Sequence, residues 1–265
     1  MRIIALVPAR GGSKRLPGKN LMELNGHPLV AYAIGAAQEA GLFEDIVVSS
    51  DDAETLEIAR RYGAHALECP LTVAHKDDDP DILWVEHAFE HAILHGLPRH
   101  EYLQTASPRS VAFAIIRPTS PFRRGSWIAQ AWQLFKDSGA DSLRAMRPVT
   151  EHPGKMWLVD PFDKQLATPV MVGKRYRPPM EPWHSSPTQG LPSVWVQTAA
   201  LEIAWVDTVL NLGTIAGRKV LRWHTDLDAP EAIDINTQVD WERAYRIADS
   251  HPEYLPFVQE RVLTA

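Results

Sequence analysis

The hydrophobic positions of this chain fall into short dense runs separated by stretches of helical period. Ile3-Ile4-Ala5-Leu6-Val7 opens the pattern and reads as a strand buried on both faces, since no polar position alternates with the apolar ones. Ile46-Val47-Val48-Ser49 and Val111 to Arg117 repeat that signal, Ser142 to Arg147 predicts another strand, and Ala64 to Leu67 a short one. Between them the apolar residues recur at three and four. Pro28 to Ala40 predicts a helix with Leu29, Ala33, Ile34 and Ala37 near one face, stopped at Gly41. Ala53 to Tyr62 predicts a second, capped by Asp51 or Asp52 and ended by Gly63. Residues 80–95 (Ile82, Val85, Ala88, Phe89, Ala92, Ile93), Ser126 to Ser138 and Trp241 to Asp249 complete the helical set. Strands alternating with helices over residues 1–147 imply an α/β fold: a Rossmann-like, mostly parallel sheet with helices on both faces. Such sheets take ligands at the carboxyl ends of their strands.

The pattern changes after residue 147. Pro148, Pro153, Pro161, Pro169, Pro178, Pro179, Pro182, Pro187 and Pro192 leave little room for long helices. Met156, Trp157, Met171, Tyr176, Trp183 and Trp195 carry too much apolar surface for a free linker. Residues 1–265 are therefore expected to form one domain, with 148–193 an excursion that covers the site or meets a second subunit. Residues 98–110 read as a loop, and the chain returns through Val194 to Trp205.

Composition narrows the function. The length of 265 residues suits a chain with a sizeable core, and a net charge of -6 supplies no excess of cations to track a nucleic acid. Cys69 is alone, so neither an intrachain disulfide nor a cysteine zinc cluster is expected, and the residue reads as an inert small hydrophobe. Arg2 is followed by five apolar residues before Pro8, too few for a signal peptide or a membrane span, so a cytoplasmic protein is expected. His87, His91 and His95 share a helical stripe but lack the companion glutamate of a zinc-protease motif, with His100 outside the helix; a solvated stripe is the reading.

The chemistry concentrates where strands end. After the first run come Arg10, Gly11, Gly12, Ser13, Lys14, Arg15 and Lys19: a glycine turn loaded with cations, suited to a polyphosphate. It follows neither the Walker order nor the Gly-x-Gly-x-x-Gly of dinucleotide folds. Arg117 closes a buried run, where an unpaired arginine would be costly, so it is expected to meet an anion or an acid; Thr119 and Ser120 bring hydroxyls to the same rim. Asp234, flanked by Ile233 and Ile235, reads as a strand-end carboxylate aimed into the crevice. Asp226, Asp228 and Glu231 read as a solvated acidic turn around Pro230.

Pro8 to Lys14 followed by Pro17-Gly18-Lys19-Asn20-Leu21 resembles the nucleotide loop of the acylneuraminate cytidylyltransferase family, which activates acidic sugars as CMP-sugars. Gly26-His27-Pro28-Leu29, Val47 to Asp52, Arg117 to Arg123 and Asp234-Ile235-Asn236-Thr237 follow in the family's order, so the resemblance covers roughly residues 1–248. It implies a sheet of the nucleotide-diphospho-sugar transferase type and transfer of CMP from CTP to an acidic sugar, with Mg²⁺ and release of pyrophosphate. It also implies roles for residues. Lys19 and Arg10 would be catalytic. The nucleotide would meet Ala9, Arg10, Gly11, Gly12, Ser13, Lys14, Lys19, Asn20, Asp77 and Arg117, with Asn20 orienting the loop or the sugar part of the nucleotide. Thr119, Ser120, Lys155, Gln189 and Gln197 would meet the acidic substrate, Asp234 and Asn236 would hold the metal, and Arg123 would cap the following loop. A homodimer is implied as well. The chain departs from the family pattern at four places: Asn236 stands where an aspartate is usual, Thr188 where an arginine would pair with the substrate carboxylate, Thr198-Ala199 after Gln197 where Asn-Gly is usual, and Glu68 where an arginine precedes proline near the base. Two other readings stay open: a guanylyl or other nucleotidyl transfer to a sugar 1-phosphate, and a nucleotide-binding protein without turnover.

Overall fold

A computed structural model describes residues 1–70, 73, 79–94, 109–171, 182–226 and 228–261. The chain forms two compact units, Met1–Ala145 with Thr198–Ala265, and Met146–Gln197.

In the first unit β1 (Arg2–Pro8) leads through the basic loop to a two-residue ribbon, β2 (Glu23–Leu24) against β3 (His27–Pro28), and then to α1 (Leu29–Ala40). β4 (Ile46–Ser50), α2 (Ala53–Arg61), β5 (His65–Glu68), α3 (Ile82–Leu94), β6 (Val111–Ile115) and α4 (Gly125–Lys136) follow. β7 (Ser142–Pro148) leads into the second unit, which carries β8 (Trp157–Val159) and β9 (Ala167–Pro169). The chain returns on β10 (Trp195–Trp205) and finishes with α5 (Val206–Leu212), β11 (Val220–His224) and α6 (Gln238–Ser250). The main sheet has the order β11-β7-β10-β6-β1-β4-β5. β1 pairs in parallel with β4 and β6, and β4 with β5, while β10 runs antiparallel to β6 with Glu202 opposite Ile115.

The dense apolar runs are explained by burial on both faces. Ile3, Ala5 and Val7 of β1 and Ala112 and Ala114 of β6 face a core built with Val30, Ile34 and Ala37 of α1, Ile58 of α2 and Phe135 of α4. Ile4, Leu6, Phe113 and Ile115 face the opposite core, with Val85, Ala88 and Phe89 of α3 and Val209 of α5. Helices on both sides are what a two-sided apolar strand requires. A third cluster gathers Leu24, Tyr32, Phe122, Ile233, Ile235 and Ala244, and so anchors the segment carrying Asp234. Asp52, not Asp51, caps α2: its carboxylate accepts the Thr55 amide at 2.8 Å. The carboxy-terminal segment crosses α1 at Gly35, where a Cβ would meet Val258 at 2.5 Å and the Phe257 carbonyl at 2.6 Å. Among the described residues no helix is long and apolar enough to cross a membrane.

The mostly parallel sheet with helices on both faces agrees with the expectation, and most element ends fall within a residue or two of it. Three differences have physical reasons. The strand read as Val111 to Arg117 stops at Ile115, because Arg117 leaves the sheet before a proline. α6 begins three residues earlier than expected, at Gln238, because Thr237 and Asp240 form a capping box. β11 was not anticipated: Val220 to His224 is half exposed, so it lacks a buried run.

The second unit is described by itself. β8 and β9 pair antiparallel, and the Asp160 carboxylate accepts the Phe162 and Asp163 amides at 2.8 and 2.9 Å to set the turn. Trp157, Leu158, Val159 and Leu166 are exposed on this hairpin, and Phe162 is 97% exposed.

Candidate active site

The carboxyl ends of β1, β4 and β6 open onto a cavity of about 700 Å³ whose described lining residues belong to the first unit. Arg10, Ser13, Lys14, Arg15, Lys19 and Asn20 come from the loop after β1. Ser49, Ser50 and Asp51 close β4, Arg117, Pro118 and Thr119 follow β6, and Asp234 and Asn236 precede α6. Residues separated by more than two hundred positions thus meet at one rim, as a parallel sheet dictates.

The loop is held by its neighbours. Asn20 donates to the Arg10 carbonyl at 2.9 Å and so ties the loop to itself. Ser50 donates to the Ala9 carbonyl at 2.7 Å. Of the three amides expected to face a phosphate, Gly11 donates to Asp51 at 2.8 Å and Ser13 to the Gly11 carbonyl at 3.0 Å. Gly11 has to be glycine or nearly so: a Cβ there would meet that of Asp52 at 3.0 Å.

Lys19 reaches across to the other side. Its Nζ donates to the Ile235 carbonyl at 3.3 Å and to Asn236 Oδ1 at 3.4 Å. Arg15 donates to the same oxygen at 3.0 Å, and Asn236 Nδ2 donates to Asp234 Oδ2 at 2.5 Å. The other Asp234 oxygen, Oδ1, is buried without a hydrogen-bond partner. Burial pulls the Lys19 ammonium below its ordinary value, against the raising pull of Asp234.

Arg117 meets acids, as its position required. It donates to Asp81 at 2.6 Å and to Glu202 at 2.8 Å, and Glu202 also pairs with Arg144. Burial raises the Asp81 carboxyl, but the Arg117 guanidinium, the Trp84 hydrogen bond and the nearby Arg144 together outweigh it and the net shift is downward. Burial pulls Arg144 down to about 10. Trp84 donates to Asp81 at 2.9 Å. Beneath this network Arg123 is fully buried and donates to the carbonyls of Arg117, at 2.8 Å, and Ala200. It ties the start of the preceding Pro118–Phe122 turn to β10, rather than capping the loop that follows it as expected. Thr119 accepts the Ile235 amide on its carbonyl at 2.8 Å, so the same turn also positions the Asp234 segment.

The structure therefore brings together Ala9, Arg10, Ser13, Lys14, Lys19, Asn20, Arg117, Thr119, Asp234 and Asn236. Ser120 lies just behind, with a buried hydroxyl lacking a partner. Asp77, His95 and His100 lie outside the described residues. Lys155, Gln189 and Gln197 belong to the second unit, where Lys155 donates to the carbonyls of His184 and Ser186 at 2.8 and 2.5 Å. Cys69 lines the cavity with its thiol pushed up by burial, which suppresses the thiolate. Asp226 is solvated and pairs with His224. Asp81, Arg144 and Glu202 escaped the sequence reading. The available signal was a lone charge inside an apolar strand, Leu143-Arg144-Ala145 and Leu201-Glu202-Ile203.

Residues 4–92 match the model of a family described as cytidylyltransferase. The CMP-N,N'-diacetyllegionaminic acid synthase of Legionella pneumophila is 33% identical over 153 residues, covering 58% of this chain and 61% of that protein. The N-acylneuraminate cytidylyltransferase of Escherichia coli is 36% identical over 162 residues, or 61% of this chain and 34% of that protein. The pseudaminic acid cytidylyltransferase of Campylobacter jejuni is 52% identical over a shorter stretch, 25% of this chain and 28% of that protein. The matches thus span under two thirds of each relative's own length. Among solved structures, a CMP:2-keto-3-deoxy-manno-octonic acid synthetase complexed with CTP superposes with a TM-score of 0.61 over 94% of this chain and 99% of that one, at 13% identity. A cytidylyltransferase from Leptospira borgpetersenii superposes with a TM-score of 0.53 over the full length of both chains, at 12% identity. At such identities the likeness establishes the fold.

Proposed function

We propose that this chain, which belongs to the acylneuraminate cytidylyltransferase family, transfers CMP from CTP to a hydroxyl of an acidic sugar and releases pyrophosphate. The observation that carries the reading is the convergence of the basic loop and Asp234 on one cavity. The acceptor oxygen forms a bond to the α-phosphorus, the bond to the β-phosphate oxygen breaks, and the hydroxyl gives up its proton. Charge is the main demand of that step. Lys19 and Arg10 answer it by neutralising the leaving pyrophosphate, and Lys14 and Arg15 add to the field. The depressed ammonium of Lys19 reflects a desolvated cation, whose pull on phosphate is stronger than water would allow.

A divalent cation fits the donor set, because Asp234 lines the cavity and its Oδ1 is a buried carboxylate oxygen without a hydrogen-bond partner. Mg²⁺ bound there would neutralise phosphate oxygens. Thr119 and Ser120 would meet the acceptor from the rim beside Arg117. The exposed Trp157–Val159 hairpin with Phe162 supports a homodimer formed through the second unit. A cytoplasmic location suits a CTP-using enzyme.

The test is pyrophosphate release with CTP, GTP, UTP and ATP against nonulosonic acids and sugar 1-phosphates. Release with CTP and an acidic sugar is the expected result. Release with GTP and a sugar 1-phosphate would replace this reading, and nucleotide binding without release for any pair would reduce the chain to a binding protein.

A further inference from the structure

The Asn236 side chain joins the basic loop to the Asp234 segment: two loop cations on its oxygen and the Asp234 carboxylate on its nitrogen. We propose that Asn236 is a positioning residue, a neutral clip that holds Arg15 and Lys19 in place to receive a triphosphate while adding no negative charge of its own beside them.

The orientation of the amide is dictated by its neighbours. Turned the other way, the NH₂ would face two cations and the oxygen would face a carboxylate, two clashes of like polarity in place of three hydrogen bonds. Oδ1 is thus committed to Arg15 at 3.0 Å and Lys19 at 3.4 Å, and Nδ2 to Asp234 Oδ2 at 2.5 Å. An amide so placed offers no oxygen towards an ion on Asp234 Oδ1. A carboxylate at this position would repel Asp234 and neutralise much of the charge on the two cations. The amide does neither, yet orders the long side chains, whose rotamer entropy would otherwise be lost on binding.

The segment carrying Asn236 is rigid enough to act this way. Its backbone amide donates to Asp240 at 3.1 Å, inside the capping box of α6. The Ile235 amide donates to the Thr119 carbonyl, and the Ile235 side chain is fully buried. The clip therefore stands on a fixed frame and reaches towards the loop, whose own tether is the Asn20 bond to Arg10.

This inference rests on the triphosphate reading of the pocket, and the test separates the two. CTP binding is followed by calorimetry in EDTA and again with Mg²⁺, for the parent, Asn236→Ala, Arg15→Ala and the double variant, each checked for folding by thermal unfolding. The proposal expects Asn236→Ala to weaken metal-free binding about ten-fold, while the factor gained on adding Mg²⁺ stays within about three-fold of the parent. The double variant should bind no worse than about three-fold below the weaker single variant, because both act through one contact. Unchanged metal-free binding with a shrunken Mg²⁺ gain would make Asn236 a metal ligand and overturn the proposal. Losses that multiply in the double variant would overturn it too, as would a fall in both quantities, which would place its action on Asp234. Should the alanine variant fail to fold, Asn236→Ser repeats the titrations with the same expectations. A parent that binds no CTP would sink the triphosphate reading itself.

Discussion

Two groups of cations flank the same cavity and are held in opposite ways. Arg117 sits between Asp81 and Glu202, and Glu202 also holds Arg144, so each guanidinium there meets a full negative charge. Lys19 and Arg15 share the uncharged oxygen of Asn236. The first arrangement satisfies its cations inside the protein. The second orders its cations through a neutral amide, with the Asp234 and Asp240 carboxylates acting on them without an ion-pair contact. The difference teaches that nearness to a pocket does not make an arginine a ligand; the charge of its existing partner decides how much field remains. Arg117, expected as a nucleotide contact, is already engaged by Asp81 and by Glu202 of β10, whereas the loop cations Lys19 and Arg15 meet a neutral amide.

The largest way to break the comparison is to remove the carboxylate that neutralises one side. Glu202→Gln leaves Arg144 and Arg117 short of a buried counter-charge, and urea unfolding should show a loss of about 3–5 kcal/mol. A loss under about 1 kcal/mol would mean that water or Asp81 carries the charge instead. Next comes Lys19→Ala, expected to lower kcat/KM about 100-fold or more, as removal of a transition-state charge contact should. Retention of a few-fold of parent activity would make Lys19 a surface cation. Arg15→Ala should cost less, about ten-fold in CTP affinity, since one exposed guanidinium is lost from several loop charges. Smallest is Cys69→Ser: the thiol is buried and its thiolate suppressed, so turnover should stay within about three-fold, and a collapse in rate would reveal a role that the geometry does not give it.

Much of this was legible in the chain, for identifiable reasons. Ile3–Val7 and the run from Val111 are strands that bury both faces, which is why their apolar positions run on without a polar one between them. β11 carried no such signal, because its residues are exposed or half-exposed in alternation. Strand direction escaped as well: the pattern of Val194 to Trp205 reads the same whether it joins the sheet parallel or antiparallel, and only the pairing of Glu202 with Ile115 reveals which. The site divides likewise. Lys19, Asp234 and the glycine turn were readable because they form local motifs. The bond from Lys19 to Asn236 spans 217 positions, and the Asp81–Arg117–Glu202–Arg144 chain joins four elements, so neither has a local signature.

The most direct measurement sets the two cation groups side by side: CTP binding by Lys19→Ala and Arg117→Gln, each compared with the parent under the same salt and metal. The account predicts a loss of at least about ten-fold for Lys19→Ala and under about three-fold for Arg117→Gln, whose cost should appear in thermal stability. Equal losses, or a larger one for Arg117→Gln, would contradict it and return Arg117 to the nucleotide.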